Sequence, residues 1–265
     1  MSICSNVYRQ PCVFAVFAAM LLLALSAQAE VVPTPYGPTS LPLELQRVPG
    51  APVYYLIGRS GVPDAENEGH TSNAGFVVTD GGVVVVDALG TPALGFRLLQ
   101  HIRAVTDQPI ERIVVSHYHA DHIYGLQAFK EHADSPTVWA QSLARGYAGG
   151  TAASQGENAQ LRLAQRREAL FPWVNENTYV VPPDQTFEHG LSFSVGGVDF
   201  EVKHFGPAHG PENPVGSVLH GLRRGAPGDG LGRLKGHGEL RNLAGLSGVG
   251  LVRLEIAQLG FHHFP

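Results

Sequence analysis

Residues 116–122 read SHYHADH and follow directly on the apolar run Ile113-Val114-Val115. Three histidines and an aspartate share seven positions, and no other stretch constrains the chain as strongly. His117 and His119 are two residues apart. At the end of an extended strand they point the same way, about 7 Å apart, and two imidazoles so placed converge on one ion at about 2.0–2.1 Å per bond. Asp121 and His122 lie just past the strand, where a turn into a helix aims them at a neighbouring position. One metal takes three or four ligands, so a single strand end cannot close the site and a distant residue must contribute. His209 is the candidate: it ends a predicted strand and sits in the glycine- and proline-bearing loop Gly206-Pro207-Ala208-His209.

The surrounding pattern predicts alternating strands and helices. Val53 to Ile57 (VYYLI) reads as a first strand. Ala74 to Asp80 and Val83 to Asp87, joined by Gly81-Gly82, read as a hairpin. Thr91-Pro92 supplies a capping hydroxyl before a first-turn proline, and Leu94, Leu98, Ile102 and Val105 follow at helical spacing. Residues 111–116 form the strand that delivers the motif. A helix is expected from Ile123 to His132, a strand over 137–141, and a helix from Asn158 to Leu170 stopped by Pro172. Residues 191–195 and 198–202 alternate around Gly196-Gly197 as a second hairpin. This order indicates an α/β layered domain over residues 53–215.

Both ends read differently. Arg9, the apolar run Val13 to Leu25 and Ala27-Gln28-Ala29 give residues 1–29 the form of a signal peptide with its cleavage site. The run is shorter than the roughly 20 apolar residues of a membrane span, so a periplasmic or secreted protein without stable membrane insertion is expected. Cys4 and Cys12 are the only cysteines, and both lie in that leader. The mature chain would have neither disulfides nor thiolate ligands. Residues 30–52 form a proline-rich lead-in lying on the domain surface. Beyond Val215 glycine recurs every few residues (Gly216, Gly221, Gly225, Gly228, Gly230, Gly232). Residues 216–265 therefore read as a glycine-rich tail without a strand of four or more residues. The net charge of −5 argues against a nucleic-acid partner, whose phosphates call for a basic face, and leaves a small molecule as the expected one.

SHYHADH resembles the HxHxDH signature of the metallo-β-lactamase superfamily. Asp87-Ala88-Leu89-Gly90 after the first hairpin is similar to that family's strand-Asp-x-Gly element, and Pro207-Ala208-His209 resembles its next ligand segment. The resemblance runs in consistent order over about residues 53–215 and implies an αββα sandwich. It implies that His117, His119 and His209 hold a first zinc, and that Asp121 and His122 belong to a second. Asp87 then braces the ligand loop, with Asn73 a further supporting residue. Zinc of this kind lowers the pKa of its water to about 7, and the resulting hydroxide attacks a carbonyl with Asp121, the catalytic carboxylate, holding it in line.

The family's bridging aspartate and last histidine have only loose counterparts in Asp229 and His237, eight residues apart and with no apolar strand before either. One zinc is therefore supported and the second half of the sandwich is expected to be incomplete, with residues from about 216 reading as out-of-frame or aberrant. Two functions stay open. One is an exported zinc hydrolase of esters, thioesters, lactones or lactams. The other is a non-catalytic periplasmic metal-binding or accessory protein with an incomplete dinuclear site. Tyr118 and Tyr124 read as packing residues, and His101 and His132 as surface ones. The loops that would choose a substrate carry no signature.

Overall fold

The structure, a computed structural model, describes residues 31–149, 159–204, 217–223 and 252–254, the last two as backbone strands. In chain order its elements are β1 (Gln46–Arg47), β2 (Val53–Leu56), β3 (Ala74–Thr79), β4 (Gly82–Val86), α1 (Pro92–Val105), β5 (Ile110–Val114), α2 (Ala120–Ile123), α3 (Leu126–His132), β6 (Thr137–Gln141), α4 (Leu143–Gly149), α5 (Ala159–Ala169), β7 (Gln185–Phe187), β8 (Gly190–Val195), β9 (Val198–His204), β10 (Ser217–Arg223) and β11 (Val252–Leu254). The signal-peptide segment lies outside the described residues.

Strands β1 to β7 form one sheet in sequence order. Its first four strands pair antiparallel, and β4 to β7 run parallel. Parallel neighbours need a long crossover, and α1, then α2–α3, then α4–α5 supply the three. Strands β8 to β11 make a second, antiparallel sheet.

Strand β4 shows how one sequence run serves two cores. Side chains alternate along a strand. Val83 and Val85 accordingly join Leu94, Leu98, Ile102 and Phe129 under the helices, while Val84 and Val86 join Val198, Phe200 and Val202 between the two sheets. With both faces covered, the run has no polar position to spare. Helices, first sheet and second sheet thus stack as three layers. Among the described residues no helix follows β9, so the expected fourth layer falls outside them.

Helix α1 begins as expected: Thr91 Oγ1 accepts the Leu94 N–H at 3.2 Å, and Pro92 occupies the first turn. The helix expected over 123–132 is instead two, broken at Tyr124-Gly125. Gly125 sits against the backbone of Ala88 and of Gly95 on α1, so that a Cβ at either glycine would overlap main-chain atoms. The break permits that approach. The tail also departs from expectation. Residues 217–223 form a seven-residue strand, paired with β9 from Ser217↔His204 to Arg223↔Val198. Pairing to an existing edge supplies the order that local periodicity lacks. His101, expected at the surface, is half-buried, with its ring bonded to the backbone at Leu43.

The lead-in is tied down at four points. Trp173 Nε1 donates to Pro38 O at 2.6 Å, and Arg97 Nη1 to Thr39 Oγ1 at 2.7 Å. Ser40 donates through both N and Oγ to Glu68 Oε1, at 2.7 and 2.6 Å, and Tyr36 donates to Glu131. Thr39, Leu41 and Leu43 are buried, which makes this segment part of the domain rather than a cover over it.

Candidate metal centre

Strands β4 and β5 run side by side with Val86 opposite Val114. The residues that follow each strand therefore leave the sheet at one level, at its carboxyl end, where open α/β sheets place their sites. Asp87 leaves β4 and Ser116 to His122 leave β5. Asp87 N donates to Val114 O at 3.1 Å, and Ala88 N to His122 O at 2.9 Å, extending the pairing past the strands. Asp87 and Leu89 both take positive φ, 58° and 70°. The left-handed region is tolerable for aspartate and unusual for leucine, and such geometry is kept where surrounding contacts over-determine it.

The Asp87 carboxylate, with no solvent exposure, is the anchor. Its Oδ1 accepts the Ser116 N–H at 2.7 Å. Its Oδ2 accepts the Ser116 hydroxyl at 2.7 Å and His122 Nδ1–H at 2.8 Å. The Ser116 proton being committed to Asp87, its oxygen accepts from His117 Nδ1 at 3.1 Å. The hydrogen-bond network thereby assigns both imidazoles a protonated Nδ1 and a lone pair on Nε2, the tautomer that binds metal through Nε2. The ring of His117 lies 4.1 Å from that of His122 and 4.5 Å from that of His119, centre to centre. His122 Nε2 is 3.7 Å from Asp121 Oδ2.

Asp121 is held from another part of the chain. Thr71 Oγ1 donates to its Oδ2 at 3.1 Å, and the Ser72 hydroxyl to its main-chain oxygen. Burial works to raise the Asp121 pKa, but the His122 and His119 imidazoles outweigh it and hold the carboxyl below the usual range. Asn73, expected to support the ligands, instead accepts the Gly58 N–H at 2.9 Å. Its two predecessors do that work. The polar run Asn67-Glu68-Gly69-His70-Thr71-Ser72 ahead of a strand was the signal available for them.

The donor set fits a divalent zinc-like ion: imidazole nitrogens with their tautomers fixed, and an ionised carboxylate. Among the described residues, however, no group of three or more histidine, cysteine, aspartate or glutamate side chains could hold an ion by itself. His209, Asp229 and His237 lie outside the described residues. Tyr118 and Tyr124 are buried in the helix-side core, Tyr118 donating to Val181 O at 2.8 Å.

Comparison with known proteins gives the class. Residues 67–218, more than half of the chain, match the family model of the metallo-beta-lactamase superfamily. The chain belongs to that superfamily, whose members include hydrolases. A linear primary-alkylsulfatase from Pseudomonas sp. is 27% identical over 158 residues, covering 51% of this chain and 29% of that protein. A metallo-beta-lactamase structure from Pontibacter korlensis aligns at 21% identity and a TM-score of 0.46, covering 67% of this chain and 66% of that one. A mutant metallo-beta-lactamase structure from Cronobacter sakazakii aligns at 21% identity and a TM-score of 0.45, over 69% of this chain and 60% of that one. The chain spans under a third of the alkylsulfatase's length.

Proposed function

We propose that this chain is an exported zinc-dependent hydrolase whose substrate is a small molecule bearing an ester, thioester, lactone or lactam. The observation that carries the reading is the Asp87 network, which orients two imidazoles beside an ionised Asp121. Such bracing is what metal ligands need and what a surface histidine does not. His117, His119 and His209 would hold the first zinc, and Asp121 and His122 the second. When bound, zinc supplies Lewis-acid activation of water and of the substrate's carbonyl oxygen. The chain's own part is to hold His117 and His122 by their Nδ1 atoms and to keep Asp121 ionised and aimed by Thr71 and Ser72. The alkylsulfatase relative is named for a sulfate ester, so an alkyl sulfate belongs among the substrates tried.

Elemental analysis of the purified mature protein, paired with turnover of an ester, thioester, lactone, lactam and alkyl sulfate panel, tests the reading. Zinc together with hydrolysis of a panel member is expected. Zinc without any turnover would favour a metal-binding accessory protein. Residues 1–29 are proposed as the signal peptide, so the mature chain should begin at Glu30. An intact Met1 on soluble cytoplasmic protein would remove export from the proposal.

A further inference from the structure

A cavity of about 400 Å³ opens on the helical layer, and no candidate metal ligand lines it. Three separate parts of the chain wall it: residues 35–37 of the lead-in, Gln127 and Glu131 one turn apart on α3, and the loop over residues 172–178. A volume of that size is usual for a small-molecule site. Among the described residues that line it, Glu131 alone is charged.

The Glu131 carboxylate is already well supplied with donors. Tyr36 gives its O–H to Oε2 at 2.5 Å, Gln127 Nε2 donates to Oε1 at 3.0 Å, and Tyr179 adds a further hydrogen bond. Burial works to raise the Glu131 pKa, but these bonds and the neighbouring His132 outweigh it and hold the carboxyl below its usual range. The group is a fixed negative charge with little hydrogen-bonding capacity left.

Other polar groups of the wall are committed in the same way. Trp173 Nε1 donates to Pro38 O at 2.6 Å, and Asn175 Nδ2 to Pro172 O at 3.0 Å. Gln127 Nε2 also reaches Asn177 O at 3.3 Å. A sugar, which needs donors and acceptors turned towards it, finds little here beyond Asn177. What the wall does offer is ring surface, from Tyr36 and Trp173 with Pro35 and Pro172 beside them. Aromatic faces carry partial negative charge and attract cations.

We propose that this cavity binds a quaternary ammonium group, seated against the Tyr36 and Trp173 rings with Glu131 as its counter-ion. Such a cation has no N–H to satisfy, so it asks only for charge and ring surface. A primary ammonium or a guanidinium would bring donors in search of acceptors that Glu131 has already committed. The site is separate from the metal centre and does not depend on the hydrolase reading.

Calorimetric titration of the full chain with choline chloride, 3,3-dimethyl-1-butanol and methyl glucoside, at constant ionic strength, tests this. The butanol has the shape of choline without its charge. Choline should bind with a Kd of about 1 mM, and the butanol about tenfold more weakly. Glu131 is exposed, so Glu131→Gln should fold normally. It should weaken choline by about fivefold or more and leave the butanol unchanged. Trp173→Leu should weaken both, and Glu131→Gln carries the test if the leucine variant does not fold. Four results would each overturn the proposal: no saturable choline binding, equal affinity for choline and the butanol, tighter binding of the glucoside, or unchanged choline affinity in Glu131→Gln.

Discussion

Nδ1 of His122 and Oδ2 of Asp87 lie 2.8 Å apart, and neither side chain has any exposure to solvent. The same carboxylate also takes two hydrogen bonds from Ser116. Asp87→Asn would turn one of its acceptors into a donor facing donors. It is expected to weaken zinc affinity by about 10- to 100-fold, measured by competition with a chelating dye. Unchanged affinity would show that the network is not coupled to the ligands.

The His119 ring lies 4.5 Å from that of His117, and its charge acts on Asp121. On the proposed assignment His119→Ala should abolish tight zinc binding, because a first site of three protein ligands would fall to two. On the same assignment Asp121 and His122 would give the second site two ligands, so dialysis of the intact protein should leave about one zinc per chain. If Asp229 is a ligand, two zincs should survive, and Asp229→Ala should reduce them to one. Two zincs that persist in Asp229→Ala would require a ligand not named above.

His70 is buried, its Nε2 has no hydrogen-bond partner among the described residues, and burial with the nearby Arg59 charge pushes it down to about 4. The unfolded chain binds a proton near pH 6.5, the ordinary histidine value, and the folded chain does not until pH 4. Stability present above pH 6.5 is therefore lost as pH falls through that window, at about 1.4 kcal/mol per pH unit. His70→Leu should flatten this slope relative to wild type in urea titrations at pH 7.5, 6 and 5. Parallel slopes in the two proteins would exclude His70 as the cause.

At the junction of α1 with the motif, a Cβ on Gly125 would run into Ala88 O. Gly125→Ala should cost more than the roughly 1–3 kcal/mol of ordinary overpacking, because the obstruction is main chain rather than a side chain that can turn away. Gly50→Ala is the control: its φ of 75° is left-handed, but nothing lies within 4 Å. That variant should lose about 1 kcal/mol. Denaturant midpoints for the pair decide the matter, and similar losses would argue against the junction.

These cases mark the limit of what was legible in the sequence. Both hairpins, helix α1 with its Thr91 cap and strand β6 were readable because periodicity and turn residues are local. The break at Tyr124-Gly125 was not, since it answers to Gly95 and Ala88, some 30 residues away in the chain. Strand β10 was hidden because its order comes from β9. Within the site, the candidate ligand cluster could be recognised in SHYHADH and Asp87 in the Asp87-Ala88-Leu89-Gly90 element. Thr71 and Ser72 reach Asp121 from 50 and 49 positions away, a relation that only the assembled sheet reveals.

The four ties of the lead-in also set an order of events on the ribosome. Its partners emerge 28, 58, 95 and 135 positions after the residues they hold, from Glu68 to Arg97, Glu131 and Trp173. The segment that is synthesised before the sheet thus gains its full set of anchors only once Trp173 has been made. Until then residues 36–40 lack one of their four ties, and the bond from Trp173 to Pro38 closes only after helices α1 to α5 have all been synthesised.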